Sequence, residues 1–346
     1  PTPFFKRKCK KEVGFGGKLT THFPQILTTG RYFKKYHHIL YFYIVVNYIK
    51  KLNKNFDLIY SHWLYPDSFV AVKIAKILNK PVIVHFHGSD VNNLLYDKKL
   101  RSYNEYTLNN ATKIVVVSLA LKNKILEKYP ALDSKIEVIY NGVNFEKYRD
   151  ISEEESSSIL NLTNEKRKKI VFVGNLIKEK GLLEIIEAAK ITKETRDDFV
   201  IFLVGKGNTK DISCYKKLIS KNSLDDNFVF VGPVSNDMVR YYFKIAHFSI
   251  LPSYNEGLPL VVLESILAKT FVIATNVGGL PEIITDDSLG KLIAPKSGLE
   301  LSKSMIELLS APKKCPNLEG MERFDIVEQV KKSYNLYKNI IEKHFN

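Results

Sequence analysis

From about residue 56 onward, short apolar runs alternate with longer stretches whose apolar positions recur at helical spacing. The apolar runs predict buried parallel strands over Leu58–Ser61, Val82–Phe86, Ile114–Val117, Ile136–Tyr140, Ile170–Val173, Val200–Val204, Phe228–Val231, Phe248–Leu251 and Phe271–Thr275. The stretches between them predict helices, among them Ser68–Leu78, Leu119–Lys128, Leu182–Ile191, Asp237–Ala246, Pro259–Ala268 and Leu299–Leu309. Such βα repetition implies an α/β fold with parallel sheets. It is interrupted at Arg149–Lys169, where Ser152–Ser158 is polar and acidic and Lys166–Lys169 is basic, a composition typical of domain boundaries. The expected organisation is a Rossmann-like domain over 1–148, a connection over 149–166 and a second such domain over 167–330. Residues 331–346 are expected to form a helix returning toward the first domain. Ligands of doubly wound sheets bind beyond the carboxyl ends of the strands. His87, Asn141, Asn175, Gly205, Gly232, Glu256 and Gly278 all follow predicted strand ends, which points to one cleft between the domains.

The densest chemical signal is Glu256-Gly257-Leu258-Pro259-Leu260-Val261-Val262-Leu263-Glu264. Pro259 suits the first turn of a helix, where its missing N–H costs nothing. Glu256 then lies at the helix mouth and Glu264 in the second turn, the lone charge in Leu260–Ala268. A buried carboxylate needs a strong donor, and a lysine ion pair is the plainest partner. The free N–H groups of a helix start form an anion site. Flanked by two carboxylates able to accept hydroxyl hydrogen bonds, such a site suits a sugar nucleotide.

Composition narrows the setting. The chain of 346 residues is long for one core and comfortable for two domains. The cysteines Cys9, Cys214 and Cys315 are few, odd in number and far apart, and no His/Cys spacing resembles a metal motif. A reducing, cytoplasmic setting without structural zinc is the expectation. The longest apolar-aromatic run, Ile39–Ile49, is too short to span a bilayer, and no signal peptide is visible. The net charge of +15 is unevenly placed: residues 1–150 carry 25 basic against 11 acidic groups, and residues 151–346 carry 27 against 26. The first 54 residues hold 12 basic groups and one acidic group, interleaved with Phe4, Phe5, Phe15, Phe23, Tyr32, Phe33, Tyr36, Tyr41, Phe42, Tyr43 and Tyr48. Basic groups attract anionic lipid and aromatic rings favour the headgroup level. A peripheral position on the inner face of the plasma membrane is therefore expected, beside the plainer reading of a solvated basic face. No nucleic-acid motif accompanies the charge, and no nucleic-acid partner is expected.

Phe248–Pro259 and the run to Val277-Gly278-Gly279-Leu280-Pro281-Glu282 resemble the donor-binding signature of glycosyltransferase family 4. These are retaining, metal-independent glycosyltransferases of the GT-B fold. Three further segments are similar in the same order: His85-Phe86-His87-Gly88-Ser89-Asp90, Val138–Val143 with its Asn141-Gly142-Val143, and Val173-Gly174-Asn175-Leu176 through Lys180-Gly181. The resemblance covers roughly residues 56–310. It departs from the family in two places. Asn175 stands where an arginine is usual, so Lys180 must carry more of the charge compensation toward a diphosphate. The family's opening strand, Gly-Gly loop and helix have no counterpart, since no strand is predicted ahead of Gly16-Gly17, and the chain reads as truncated at its start.

The resemblance implies roles residue by residue. Lys180, at a loop–helix junction, would hold the donor diphosphate; its bland alternative is a solvated loop lysine. Glu264 would accept from the ribose hydroxyls. Glu256 and the N–H groups of Gly257, Leu258 and Leu260 would hold the transferred sugar and the phosphates. Asn175, Gly205 and Gly232 would border the nucleotide. His87 would meet the sugar at the reacting centre, against the plainer reading of a satisfied structural histidine; His85 is the more structural of the two. Asp90 is expected to orient the loop after His87. His62-Trp63 are candidates for an acceptor site or for loop packing. No Asp-x-Asp triplet occurs, so no metal or other cofactor is expected. The implied function is transfer of a sugar from a UDP- or GDP-sugar to a glycan or lipid-linked acceptor in cell-surface polysaccharide biosynthesis. An inactive nucleotide-sugar-binding paralogue or fragment is the alternative. A nucleic-acid-binding module and an epimerase are more remote, since the former leaves both carboxylates without a role and fold alone does not exclude the latter.

Overall fold

The computed structural model describes residues 11–14, 19–22, 37–52 and 55–345. Of the aromatic residues expected at a membrane surface, Phe4, Phe5, Phe15, Phe23, Tyr32, Phe33 and Tyr36 lie outside them, as do Gly16-Gly17. The chain divides into two compact units: Pro1–Val116, Lys122–Val138 and Tyr334–Asn346 form the first, and Val117–Leu121 with Ile139–Ser333 the second.

In the first unit, strands β1 (Lys11–Gly14) and β2 (Leu19–His22) pair antiparallel. A strand does therefore precede Gly16-Gly17, contrary to the sequence reading. Its four residues contain no apolar run long enough to signal one. The main sheet runs β3 (Ile59–His62), β4 (Val82–Phe86), β5 (Lys113–Val116) and β6 (Ile136–Val138) in sequence order, all parallel. Every residue of β4 is buried, as a strand covered on both faces should be. The run Ile39–Ile49 belongs to the helix His37–Leu52. Its Tyr41, Phe42, Val45, Val46 and Ile49 pack on Phe69, Val70 and Ile74 of the helix Phe69–Leu78. An apolar run too short for a bilayer is thus spent on the core.

The second unit holds strands β7 (Lys168–Val173), β8 (Phe199–Val204), β9 (Phe228–Gly232), β10 (Phe248–Leu251), β11 (Val272–Thr275) and β12 (Gly290–Ile293). They lie in the order β9-β8-β7-β10-β11-β12, all parallel. This is the Rossmann arrangement, wound outward in both directions from a central pair. The winding reverses between β7 and β10, so the loops leaving those two strands diverge and open a crevice at their carboxyl ends. Strand β12 escaped the sequence reading because Lys291 and Leu292 are only partly covered at the sheet edge and give no apolar run.

The segment 149–166, expected as a connection, contains the helix Glu153–Ile159. Ser152 caps it by accepting from the Glu155 N–H at 3.0 Å, and Glu153, Glu154 and Glu155 complement the positive helix start. The polar composition marks a capped, exposed helix face. No helix among the described residues is long and apolar enough to cross a membrane.

Candidate functional site

The crevice at the β7/β10 switch point is built from tied loops. Gly174 N–H donates to the Val204 carbonyl at 3.0 Å, Leu176 N–H to Lys206 at 2.7 Å, and Gly205 N–H to Gly232 at 2.9 Å. The loops after β7, β8 and β9 are therefore one body. Gly205 (φ +146°) must be glycine, since a Cβ there would lie 1.9 Å from the Gly174 carbonyl oxygen.

Lys180 ends a single 3₁₀ turn, Lys178–Lys180, ahead of the helix Leu182–Lys193. Its Nζ donates to Glu256 Oε1 at 2.6 Å. Glu256 comes from the loop after β10, which Tyr254 anchors twice. Tyr254 N–H donates to the Glu179 carbonyl at 2.9 Å, and the Tyr254 hydroxyl donates to Glu184 Oε1 at 2.7 Å. Beneath Glu256, Gly278 adopts φ +54°, and a Cβ there would meet the Glu256 carbonyl oxygen at 2.0 Å. Next to it, Gly279 N–H donates to Gly257 at 2.8 Å. The Gly278-Gly279 turn is thus the seat on which the Glu256 loop rests.

A cavity of about 420 Å³ opens here, lined by Asn175, Lys180, Gly205, Lys206, Glu256 and Leu260 among others. Its size falls within the range of small-molecule sites. Four of the expected residues stand around it without lining it. Gly232 supports Gly205 through its carbonyl. Gly257 is held by Gly279. Leu258 is buried, and its carbonyl accepts from Asn141 Nδ2 at 3.2 Å. Glu264 is half-buried further along the helix Leu260–Leu267, beside Tyr148. Burial pushes the Glu264 carboxyl above the usual glutamate range, against the opposing influence of the Tyr148 hydroxyl and Lys147. Burial, reinforced by Glu264, likewise pushes the Tyr148 phenol up. The two groups influence each other without closing a hydrogen bond of ordinary length. Pro259 is the N-cap residue, in extended conformation, rather than the first helical residue. Its ring forbids an N–H in either position, so the free donors of this helix start at Leu260.

His87 belongs to the first unit and sits in a cluster of three histidines. His62 at the end of β3 is the register partner of His85 on β4, and His87 lies one strand period beyond His85. Adjacent parallel strands and the two-residue pleat place all three rings together. His62 Nδ1 and His87 Nε2 share a hydrogen bond of 2.8 Å, with their rings stacked at 5.0 Å. Tyr60 Oη and His85 Nδ1 share one of 2.6 Å. Partial desolvation of its ring lowers the pKa of the otherwise exposed His62. Burial and the neighbouring rings push His85 down to about 3, and burial and His62 lower His87. Asp90, fully buried, accepts from the N–H groups of His87, Gly88 and Val91, which sets the loop after β4 as expected of an orienting residue. The Trp63 ring lies 5.4 Å from that of His87.

Sequence reasoning passed over Lys206, Tyr148 and the His62–His85 pairing. Lys206 carried only the weak signal of a glycine-flanked turn. Tyr148 lies in the segment assigned to a domain edge. The histidine cluster depends on strand register, which linear spacing does not display.

Two Rossmann-like units with parallel sheets, one of them carrying a joined lysine and glutamate at its switch point, are the architecture of the GT-B fold. Residues 153–320 match the family Glycosyl transferases group 1, and residues 13–147 match Glycosyltransferase Family 4. A glycosyltransferase of Methanocaldococcus jannaschii is 32% identical over 261 residues, covering 75% of this chain and 67% of that protein. TuaC of Bacillus subtilis, assigned to teichuronic acid biosynthesis, is 30% identical over 256 residues, covering 72% of this chain and 60% of TuaC. The chain thus spans about three fifths to two thirds of these relatives. The structure of Anabaena HepE in complex with UDP shares the fold, with a TM-score of 0.75 at 18% identity, covering 86% of this chain and 82% of that one. The chain belongs to glycosyltransferase family 4.

Proposed function

We propose that the protein transfers a sugar from a nucleoside diphosphate donor to a glycan or lipid-linked acceptor in cell-surface polysaccharide biosynthesis, with retention of anomeric configuration. The observation that carries this reading is the Lys180–Glu256 pair in the switch-point cavity. The UDP complex of HepE and the name of TuaC support the donor class and the setting. Without donor, the Lys180 cation is held by Glu256. An arriving diphosphate offers Lys180 a stronger anionic partner and releases Glu256 to accept from hydroxyls of the transferred sugar. Lys206 and the N–H groups at the start of the helix Leu260–Leu267 add to the stabilisation of the departing diphosphate. Glu264 receives the ribose hydroxyls, and His87 is assigned to hydroxyls of the transferred sugar. In the chemical step the bond from the anomeric carbon to the diphosphate breaks. The acceptor oxygen then bonds to that carbon from the same face, and its proton passes to the leaving diphosphate. The basic, aromatic first unit is assigned to an anionic membrane surface where the acceptor resides.

The test is a panel of nucleoside diphosphates in thermal unfolding, followed by transfer assays. A matching nucleotide at a hundredfold excess over its Kd raises the Tm by roughly 5–10 °C. Glu256→Gln retains that shift and loses transfer, and Lys180→Ala loses the shift. Transfer by Glu256→Gln at the parent rate would sink the assignment. An inactive paralogue, for which Asn175 is the motivating observation, would show the shift in the parent chain without transfer.

A further inference from the structure

We propose that His62, His85 and His87 form a binding site for a zinc-like divalent cation, and that its occupation inhibits the protein. One ring nitrogen from each residue lies within 4.8 Å of the other two. The atoms are suited to the task. In the metal-binding tautomer His85 Nδ1–H donates to the Tyr60 hydroxyl oxygen, which fixes that ring and leaves the lone pair of Nε2 as its ligand atom. That Nε2 is buried and has no hydrogen-bond partner. An unpartnered buried nitrogen is costly, and a metal bond would satisfy it. His62 Nδ1 and His87 Nε2 are 2.8 Å apart, closer than two ligands of one ion. Tetrahedral Zn–N bonds of about 2.0–2.1 Å require nitrogens roughly 3.3 Å apart. Binding therefore opens the 2.8 Å contact modestly and draws His85 inward. Whichever of the two rings donates in that hydrogen bond passes its proton through solvent to its other ring nitrogen. Three neutral imidazoles then bind with no net release of protons. His62 is exposed, so solvent reaches the cluster, and a fourth position remains for water. Three histidines plus water is an established zinc geometry, and imidazole also suits Cu²⁺ and Ni²⁺.

The register of β3 on β4 sets His62 beside His85, and the Asp90 carboxylate fixes the backbone of His87 just beyond β4, so the site needs no loop closure. An ion held there occupies the lone pair of His87. The inhibition rests on the role proposed above for His87; the binding does not.

The experiment titrates metal-free, untagged protein with Zn²⁺ against a chromophoric chelator, with Co²⁺ as a spectroscopic probe of coordination. The parent binds one equivalent and gives the visible absorption of a tetrahedral Co²⁺ site. His62→Gln, at an exposed position where folding is least at risk, weakens binding tenfold or more. His344→Gln, outside the cluster, leaves it unchanged. Absence of a saturable equivalent, or His62→Gln titrating like the parent, overturns the site. The same Zn²⁺ series is then run in the transfer assay. Transfer that falls in step with occupancy supports the inhibitory role, and undiminished transfer by fully occupied protein overturns that part alone. Binding is read without donor or acceptor, so its failure is distinct from failure of the transferase reading.

Discussion

Replacing Gly278 by alanine tests whether the Glu256 loop is held in place from below. The added Cβ would lie 2.0 Å from the Glu256 carbonyl oxygen, where real contacts do not fall under 3.0 Å. The Glu256 backbone must therefore retreat by about 1 Å, and a misplacement of that size costs on the order of 100-fold in rate. The 2.6 Å contact from Lys180 opens with it. A second cost arises from φ +54°, where a side chain adds about 1–2 kcal/mol of backbone strain. Gly320 separates the two effects. It adopts φ +79°, and a Cβ there would have nothing within 4 Å, so alanine carries the strain without the collision. The assay is diphosphate release at saturating donor, with Tm measured alongside. Gly320→Ala is expected to lower Tm by a few degrees and to keep its turnover. Gly278→Ala is expected to lose roughly 100-fold in turnover as well as stability. Comparable turnover in the two variants would refute the claim that the turn at Gly278 positions Glu256 for the role proposed for it.

Two other outcomes follow from the same site. Asn175→Arg places a charged fork on the cavity wall and is expected to tighten nucleoside diphosphate binding about tenfold, with a steeper salt dependence, by calorimetry; unchanged affinity would refute the diphosphate contact proposed for the loop after β7. The folded chain holds the Glu264 proton more tightly than the unfolded one, so the penalty of burying this carboxylate is fully present above its folded pKa and is gone below its ordinary value of 4.5. In the ribose-binding role proposed for it Glu264 accepts best when ionised, so on that reading nucleotide affinity starts to fall on acidification at a higher pH than an exposed glutamate would give. Glu264→Gln removes that acid limb, and a limb that persists in the variant would place the titration elsewhere.

The parallel strands were legible because strands covered on both faces are written as unbroken apolar runs. Val82–Phe86 and Phe248–Leu251 match the sequence reading residue for residue, and the helix after Pro259 begins one position later than read. Elements whose stability comes from one covered face were harder to see. The edge strand Gly290–Ile293 and the capped helix Glu153–Ile159 are examples, the latter polar enough to pass for a connection. In the candidate site, Lys180, Glu256 and Asn175 announced themselves through local motifs. Tyr148, next to Glu264, belongs to a 3₁₀ turn 116 positions earlier, and nothing local to either residue signals the other. The histidine trio was hidden for the same reason: His62 and His85 become neighbours only through the pairing of β3 with β4.

Tyr60, which steadies His85, is itself backed by Tyr337, whose ring lies 5.3 Å away on the helix Ile326–Phe345. The tail of the chain is thereby a buttress for an imidazole far upstream in the sequence. Proteolytic trimming or a rigid fusion that pulls this helix aside would loosen the histidines without altering any of them, so a loss of function after such handling need not mean damage to the switch-point cavity.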